Sequence, residues 1–283
     1  MKTKENLIKK VKRLVNKAGI PKHLNHFGPK IYEFWEHALA FLVKQECKLG
    51  YRRVSRLLRG LGRNCPCPSA LCMSFHKIPL ALWQRILAAT AGMKVNIVAM
   101  DGSGMSRTLP SPYYYKRIDK PYPIEIPLKI SFAIDTRTKK ILSLRLRAKR
   151  THDIRDVKYL LTRVPVKPRK LVADKAYDAE WVHEFCKSRG ITAVIPMRNF
   201  GSRLIPRNRK LRLECKKTFN RKTYARRQMI ESVFSSIKRK FGASVSSVMF
   251  SAQRAEMYCR AITHNIISVF ETILNGAARN YWL

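Results

Sequence analysis

The sequence is poor in acidic residues. It has 18 Asp and Glu against 58 Lys and Arg among 283 residues, which leaves a formal net charge of +40. An excess of one sign repels itself when a chain compacts, unless a polyanion binds to it. Because 46% of the residues are hydrophobic, the chain is not a disordered polycation. The composition therefore predicts a folded protein whose partner is DNA or RNA.

Long apolar runs are also missing. We find no uninterrupted run of about 20 apolar residues, the length that crosses a bilayer. The N-terminal segment MKTKENLIKKVKRLVNK predicts a basic amphipathic helix and lacks the apolar centre of a secretory signal. An anionic membrane surface is therefore the weaker candidate partner, and we expect no membrane association.

The paired cysteines of common zinc sites are absent. The cluster CPCPSALCMSFH contains Cys65, Cys67, Cys72 and His76 but has no C-x2-C pair. These side chains are of the kind that bind zinc, but their spacing favours free thiols. The chain has seven cysteines, an odd number, and no signal peptide. Together these observations predict reduced thiols and a cytoplasmic location.

Residues 1–93 have helical periodicity throughout. The segment YRRVSRLLRGLG predicts a short basic helix that ends near Gly60 or Gly62, and a further helix follows, broken near Pro79. A short helix, a Gly-containing turn and another short helix is the pattern of a helix-turn-helix. We expect the arginines of this segment to face DNA phosphates: Arg52, Arg53, Arg56, Arg59 and Arg63. The alternative is a helical bundle with a solvated basic face.

The pattern changes after residue 93, and residues 94–283 alternate between strands and helices in the order β-β-β-α-β-α-β-α. We expect a basic loop over 198–222 and a long helix over 251–274. The order predicts an α/β catalytic domain with a mixed sheet, preceded by an all-helical DNA-binding region over 1–93.

Two short apolar runs end in aspartate. IVAM precedes Asp101 and LVA precedes Asp174, which predicts two buried strands that carry carboxylates to the edge where α/β sheets bind ligands. A third run, SFAI, precedes Asp135, but the residues TRTKK that follow predict a hairpin turn. Asp101 and Asp174 are therefore the candidate catalytic acids, and Asp135 is a turn residue.

The segment YARRQMIESVFSSIKRK contains one carboxylate, Glu231, among many cations. At 100° per residue, Tyr224, Arg227, Glu231 and Lys238 share a stripe about 60° wide beside the apolar face of the helix. Two Asp and one Glu are hard oxygen ligands that suit Mg²⁺ or Mn²⁺, and paired ions of this kind catalyse phosphoryl transfer. The alternative for Glu231 is an ion pair with Arg227, four residues earlier, worth a few tenths of a kcal/mol.

These motifs resemble the DDE transposases of bacterial and archaeal insertion sequences. The third motif of one group of these enzymes is Tyr, two residues, Arg, three residues, Glu, six residues and Lys, and Tyr224, Arg227, Glu231 and Lys238 match it in full. IVAMDGSG is similar to the first motif, and VADKAYDA is similar to the second, A-D-x-G-Y-D, with Ala176 in place of Gly. THDIRD is similar to a His-Asp pair that precedes a helix in the group.

The resemblance covers roughly residues 94–274 and implies a ribonuclease-H-like mixed sheet flanked by helices. It implies two Mg²⁺ or Mn²⁺ ions held by Asp101, Asp174 and Glu231, cleavage at transposon ends by water and strand transfer by a 3′-hydroxyl. Tyr224, Arg227 and Lys238 would then contact DNA. Four residues are secondary candidates of the site: His152, Asp153, Tyr177 and Asp178.

The implied partners are double-stranded DNA, as terminal inverted repeats and target, and a second subunit in an active homodimer. The implied location is the prokaryotic nucleoid. Three alternatives remain: a ribonuclease-H-like nuclease of DNA processing, a non-catalytic DNA-binding protein derived from a transposase, and a ribosomal or nucleoid protein. We expect Glu231 to be needed for catalysis and largely dispensable for DNA binding, whereas Arg227 and Lys238 matter for both.

Overall fold

The computed structural model describes residues 7–24, 29–92, 94–107, 111–121, 127–149, 151–198 and 210–279, with side chains as far as 267. The chain divides into two compact units. The helical unit comprises residues 1–90, 107–123 and 237–283, and the sheet unit comprises residues 91–106 and 124–236.

The helical unit is built from short amphipathic helices and one long helix. Its helices are α1 (Leu7–Lys17), α2 (Phe34–Glu46), α3 (Tyr51–Gly60), α4 (Pro68–Lys77), α5 (Leu80–Ala89), α6 (Pro112–Arg117) and α12 (Phe250–Arg279). A two-residue strand, β6 (Ser244–Val245), precedes α12. The break near Pro79 is confirmed, because Pro79 is the N-cap of α5 directly after α4.

The long helix α12 contains the predicted segment 251–274 and packs on α2, α4 and α5. Polar side chains of α12 form hydrogen bonds to the N-terminal helices. For example, the Asn265 amide donates to Thr90 Oγ1 at 2.6 Å. By its contacts, α12 therefore belongs with the N-terminal helices. The predicted division into domains at residues 93 and 94 stays a prediction.

The sheet unit contains β1 (Ile97–Arg107), β2 (Leu128–Asp135), β3 (Ile141–Arg147), β4 (Lys170–Ala173) and β5 (Thr192–Val194). The strand order is β3-β2-β1-β4-β5; β1, β2 and β3 are antiparallel neighbours, while β4 is parallel to β1 and to β5. The helices are α7 (Val157–Thr162), α8 (Glu180–Ser188), α9 (Lys210–Lys217), α10 (Arg221–Tyr224) and α11 (Gln228–Phe241), which begins in this unit. The predicted mixed α/β architecture is confirmed.

Helices cover both faces of this sheet. On one face, Val98, Met100 and Ala173 form a buried cluster with residues of α7 and α8. On the other face, the ring of Phe132 stacks on Phe234 of α11, with centroids 4.6 Å apart. Because successive side chains of a strand point to opposite faces, neighbouring residues pack against different helices.

Three segments differ from the sequence predictions. Strand β1 continues past Asp101 to Arg107, because β2 pairs with it from Val98 to Met105. The predicted loop 198–222 is wrong over Lys210–Lys217, which is helix α9, and over residues 221–222, which begin α10. Residues 199–209 of that loop lie outside the described residues. The Glu180 carboxylate accepts the backbone N–H groups of residues 211 and 212 in the first turn of α9, and this distant partner has no local sequence signal.

The third difference is in the segment that begins at Tyr224. Residues 225–227 form a 3-10 turn between α10 and α11, so the segment is not one continuous α-helix. Glu231 and Lys238 lie seven residues apart within α11 and therefore share one side of it. In the part of the chain that the structure describes, no helix is both long enough and apolar enough to cross a bilayer.

Candidate active site

The strand register places the two candidate aspartates side by side. Met100 and Ala173 are the last paired residues of the parallel strands β1 and β4, so Asp101 and Asp174 are the next residue on each. Neighbouring strands lie about 4.8 Å apart. Because Met100 and Ala173 face α7 and α8, alternation directs both aspartates toward the opposite face.

That opposite face is the one that α11 covers. Asp101 lies across from Phe132 in the antiparallel pair of β1 and β2, and Phe132 stacks on Phe234 of α11. Directly opposed residues of an antiparallel pair point to the same side of a sheet. The helix that carries Glu231 therefore packs on the face that carries Asp101.

The Arg227 guanidinium joins two of the three candidate acids. One terminal nitrogen, Nη1, lies 3.1 Å from Asp101 Oδ2, and the other, Nη2, lies 2.5 Å from Glu231 Oε1. The ion pair between Arg227 and Glu231 that was the alternative for this carboxylate is thus present. The same guanidinium also binds Asp101 on β1, so Arg227 links Glu231 of α11 to β1.

The surroundings of Asp101 act on its pKa in opposite directions. Burial raises the pKa of Asp101, and the nearby Asp153 and Asp174 carboxylates raise it further. The Gly102 N–H group and the Arg227 guanidinium lower it, but the net direction is upward. Burial is the main cause of this rise, so a bound cation would stabilise the ionised carboxylate of Asp101.

Tyr224 lies beside the same acids. Its ring packs against Phe219, with centroids 5.4 Å apart. Burial raises the pKa of the Tyr224 hydroxyl, Arg227 lowers it, and Asp174 and Asp101 raise it again. Tyr224 and Arg227 therefore lie close to Asp101, and Arg227 also binds Glu231.

Asp153, a secondary candidate, lies on the other face of the sheet. Its Oδ1 atom approaches Gly102 so closely that a Cβ at position 102 would overlap it. The Asp153 carboxylate also binds Lys129 Nζ at 2.6 Å. Asp153 therefore lies across strand β1 from Asp101, and the sequence did not indicate its ion pair with Lys129. The one sequence signal at Lys129 is that it is a cation inside an apolar strand.

Tyr177, another secondary candidate, is buried on that same face. Its hydroxyl finds no hydrogen-bond partner among the described residues. Burial raises the pKa of Tyr177 well above its ordinary value, with Asp153 and Asp101 adding to the effect. His152 is exposed and precedes the 3-10 turn that begins at Asp153. Ala176, which replaces the common Gly, is not among the described residues with a left-handed backbone, so the turn needs no Gly there.

Asp178, the last secondary candidate, belongs to a buried ion network. Its Oδ1 atom binds His183 Nε2 at 3.0 Å, and its Oδ2 atom accepts from Arg212 Nη2 at 2.5 Å and from the Arg198 N–H at 2.8 Å. Burial alone would raise the pKa of Asp178, but these hydrogen bonds outweigh it and lower the pKa to about 2. The network ties the start of α8 to α9.

The His183–Asp178 pair predicts that stability depends on pH. Burial alone would lower the pKa of His183, but the hydrogen bond to Asp178 and the influence of Cys215 raise it to about 9. An unfolded histidine has a pKa of about 6.5, so the stabilisation is complete below that value and is lost as pH rises through about 9.

We therefore expect the free energy of unfolding to fall by up to roughly 3 kcal/mol between pH 6.5 and 9.5 through this residue. Urea unfolding at several pH values measures it, with His183→Gln as the control that lacks the titration. A wild-type protein and a His183→Gln protein that lose stability in parallel over this range would contradict the prediction.

The predicted DNA-binding arginines lie in the helical unit. Arg52, Arg53 and Arg56 are exposed on α3. Arg59 is exposed too, but its guanidinium donates to the Cys65 carbonyl at 3.0 Å and closes the turn after α3. All seven cysteines are free thiols.

The candidate acids are of the type that binds divalent cations. Among the described residues, no group of three or more His, Cys, Asp and Glu side chains lies close enough to hold a metal ion. Asp101 and Asp174 are hard oxygen donors on adjacent strands, which suits Mg²⁺ or Mn²⁺. The third candidate, Glu231, is bound through Oε1 by Arg227.

Comparison with known proteins identifies a protein family. The family model described as "Transposase DDE domain" matches residues 94–266, more than half of the chain. No curated protein matches the sequence. Among solved structures, a piggyBac transposase synaptic complex with hairpin DNA has 11% identity and a TM-score of 0.48, over 98% of this chain and 74% of that chain. A simian T-cell lymphotropic virus intasome in complex with PP2A regulatory subunit B56 gamma has 11% identity and a TM-score of 0.31, over 78% and 65%.

Proposed function

Because the chain belongs to the transposase DDE domain family, we propose that it binds the terminal inverted repeats of a transposon, cleaves the DNA ends and joins their 3′-hydroxyl groups to target DNA. The observation that carries this proposal is the placement of the acids. Asp101 and Asp174 follow the last paired residues of adjacent strands, and Arg227 connects Asp101 to Glu231. The net charge of +40 supports a polyanionic substrate.

We assign the catalytic and metal-binding roles to Asp101, Asp174 and Glu231. Two bound Mg²⁺ or Mn²⁺ ions would activate water or a 3′-hydroxyl and stabilise the leaving oxygen. The aspartates, on a rigid sheet, hold the position of the scissile phosphate. Glu231, more exposed on α11, completes the set after it leaves Arg227.

Arg227 has two roles in this proposal. With no DNA bound, its guanidinium neutralises charge at Asp101 and Glu231. Once the carboxylates bind metal ions, the Arg227 guanidinium can form a bidentate pair with a DNA phosphate. Tyr224 and Lys238, on either side of this pair along the chain, contact the DNA near the cut.

Further features support finer assignments. The strand order β3-β2-β1-β4-β5, with three antiparallel strands followed by two parallel ones, supports a ribonuclease-H-like fold. The exposed Arg52, Arg53 and Arg56 on α3 support DNA binding by the helical unit. A homodimer would hold two transposon ends together, and free thiols agree with a reducing prokaryotic cytoplasm.

Removal of divalent ions tests this function. With excess EDTA, we expect cleavage of DNA carrying the element's inverted repeats to stop while binding continues, because binding depends on cations of the protein. Added Mg²⁺ or Mn²⁺ should restore both cleavage and joining. Gel analysis of labelled repeat DNA measures cleavage and joining, and a duplex of scrambled sequence is the control. Cleavage that persists in EDTA would exclude the proposed chemistry.

A nuclease of DNA processing is the second candidate, because the same three acids would serve it. The joining step separates the two. A nuclease releases cut ends and leaves them free, whereas the proposed transposase links the 3′-hydroxyl ends to new target DNA.

A further inference from the structure

A turn in the helical unit exposes three consecutive apolar side chains. Val248, Met249 and Phe250 lie just before and at the start of α12, with exposed fractions of 79%, 61% and 36%. The Arg254 guanidinium lies 5.1 Å from the centre of the Phe250 ring. Exposed apolar groups that adjoin one another cost free energy in water, so such a patch commonly marks a binding surface.

Buried polar side chains of α12 hold this turn. The Glu256 carboxylate accepts from the N–H and hydroxyl groups of both Ser246 and Ser247, at distances of 2.7 to 3.2 Å. The Gln253 amide donates to the carbonyls of Ser247 and Val248 at 3.0 and 3.1 Å. Both α12 side chains are nearly fully buried.

A third side chain fixes the start of the same turn. Arg260 donates to the Gly242 carbonyl at 3.1 Å and to the Ser244 carbonyl at 2.8 Å, and it binds Glu256 at 2.6 Å. Residues 242–248 are thus bound at several backbone positions by three buried side chains. Since the turn is fixed in this way, the apolar side chains at 248–250 cannot fold back into the core.

Basic residues near the turn favour a polyanionic partner. Between Glu231 and Glu256 the sequence has no acidic residue, and it has four basic ones: Lys238, Arg239, Lys240 and Arg254. One of these, Lys240, is paired with Glu46 at 3.1 Å. Glu256 itself is paired with Arg260. At this turn a second copy of the chain would bring like charge, so the proposed homodimer would form at another surface, whereas a polyanion with apolar surfaces of its own fits here. DNA has both, because its bases present apolar faces between charged backbones.

We propose that the turn of residues 248–250 is an apolar wedge that inserts against base faces and unstacks a base step of bound DNA. This rests on the proposed DNA-binding function. Proteins that distort DNA commonly use Met, Phe and other apolar side chains in this way, with cations on either side for the phosphates. Residues 242–248, held by Gln253, Glu256 and Arg260, supply the rigid support that such a wedge requires.

The test uses the full chain in EDTA and a duplex with 2-aminopurine at one base step, whose fluorescence rises when the base unstacks. The variant is Val248→Ser/Met249→Ser. The control is Leu61→Ser/Met73→Ser, which removes exposed apolar side chains of the same unit, at 64% and 57% exposure. We expect the wild type and the control to raise the fluorescence and the variant to lose that rise. Its affinity should fall about tenfold or more, with the salt dependence of binding unchanged.

Any result other than the expected one contradicts the wedge proposal. Equal fluorescence from the variant and the wild type excludes insertion, and so does the absence of any rise with the wild type. If the variant instead abolishes a concentration-dependent dimer seen by sedimentation and leaves the DNA signal intact, the turn binds a second copy. Because EDTA prevents metal-dependent cleavage, failure here is separate from failure of the proposed catalytic function.

Discussion

The Asp101→Asn, Asp174→Asn and Glu231→Gln proteins should each lose at least about a thousandfold in the rate of DNA cleavage, because metal-bound carboxylates account for several kcal/mol of transition-state stabilisation. The substitutions keep side-chain size and remove the negative charge. DNA affinity should change by less than about threefold, because binding depends on the cations. Gel-shift and cleavage assays on the same labelled repeat DNA measure both quantities.

The control for this prediction is Asp135→Asn. Asp135 also follows an apolar run in the sequence, but its carboxylate accepts from the Arg137 N–H at 3.1 Å and from the Thr138 hydroxyl at 2.6 Å, and so closes the hairpin. Asparagine is well suited to such a turn. Asp135→Asn should therefore cleave DNA at nearly the wild-type rate. Cleavage near the wild-type rate by any of the three acid variants would remove that residue from the catalytic set.

Asp178→Asn should destabilise the sheet unit by roughly 3 to 5 kcal/mol. Asp178 is the shared partner of Arg212 and His183, and both pairs are almost entirely buried. Loss of the carboxylate charge leaves the Arg212 guanidinium buried without a counter-ion. Urea unfolding followed by far-UV circular dichroism measures the change in the free energy of unfolding.

An exposed ion pair in the same unit provides the comparison. Lys187 and Glu214 lie 3.3 Å apart, with 64% and 61% of their side chains exposed. Solvent screens such pairs, so Glu214→Gln should cost less than about 1 kcal/mol. If Asp178→Asn and Glu214→Gln cost the same, the Asp178 network does not hold α8 to α9.

Much of the candidate site follows from sequence pattern alone. Short apolar runs located Asp101 and Asp174, and the residues after Asp135 correctly assigned it to a turn, because these features depend on neighbours along the chain. The stripe of the segment that begins at Tyr224 indicated the side of the helix that carries Glu231. These predictions rest on the period-2 and period-3.6 patterns of strands and helices.

The contacts that the sequence did not predict join residues far apart in the chain. The bond from Arg227 to Asp101 joins residues 126 positions apart, and α9 begins where the Glu180 carboxylate accepts its first N–H groups. The approach of Asp153 to Gly102 depends on where the turn before α7 meets the sheet. No local pattern contains these distances, so they required the structure.

The register of β1 and β4 limits which insertions and deletions the chain can accept. Side chains of a strand alternate with a period of two, so a gain or loss of one residue in Ile97–Met100 or Lys170–Ala173 would turn an aspartate toward α7 and α8. A change of two residues would keep the face but shift one aspartate along its strand, away from the other. Chain length before each acid is therefore constrained as strictly as the acids themselves.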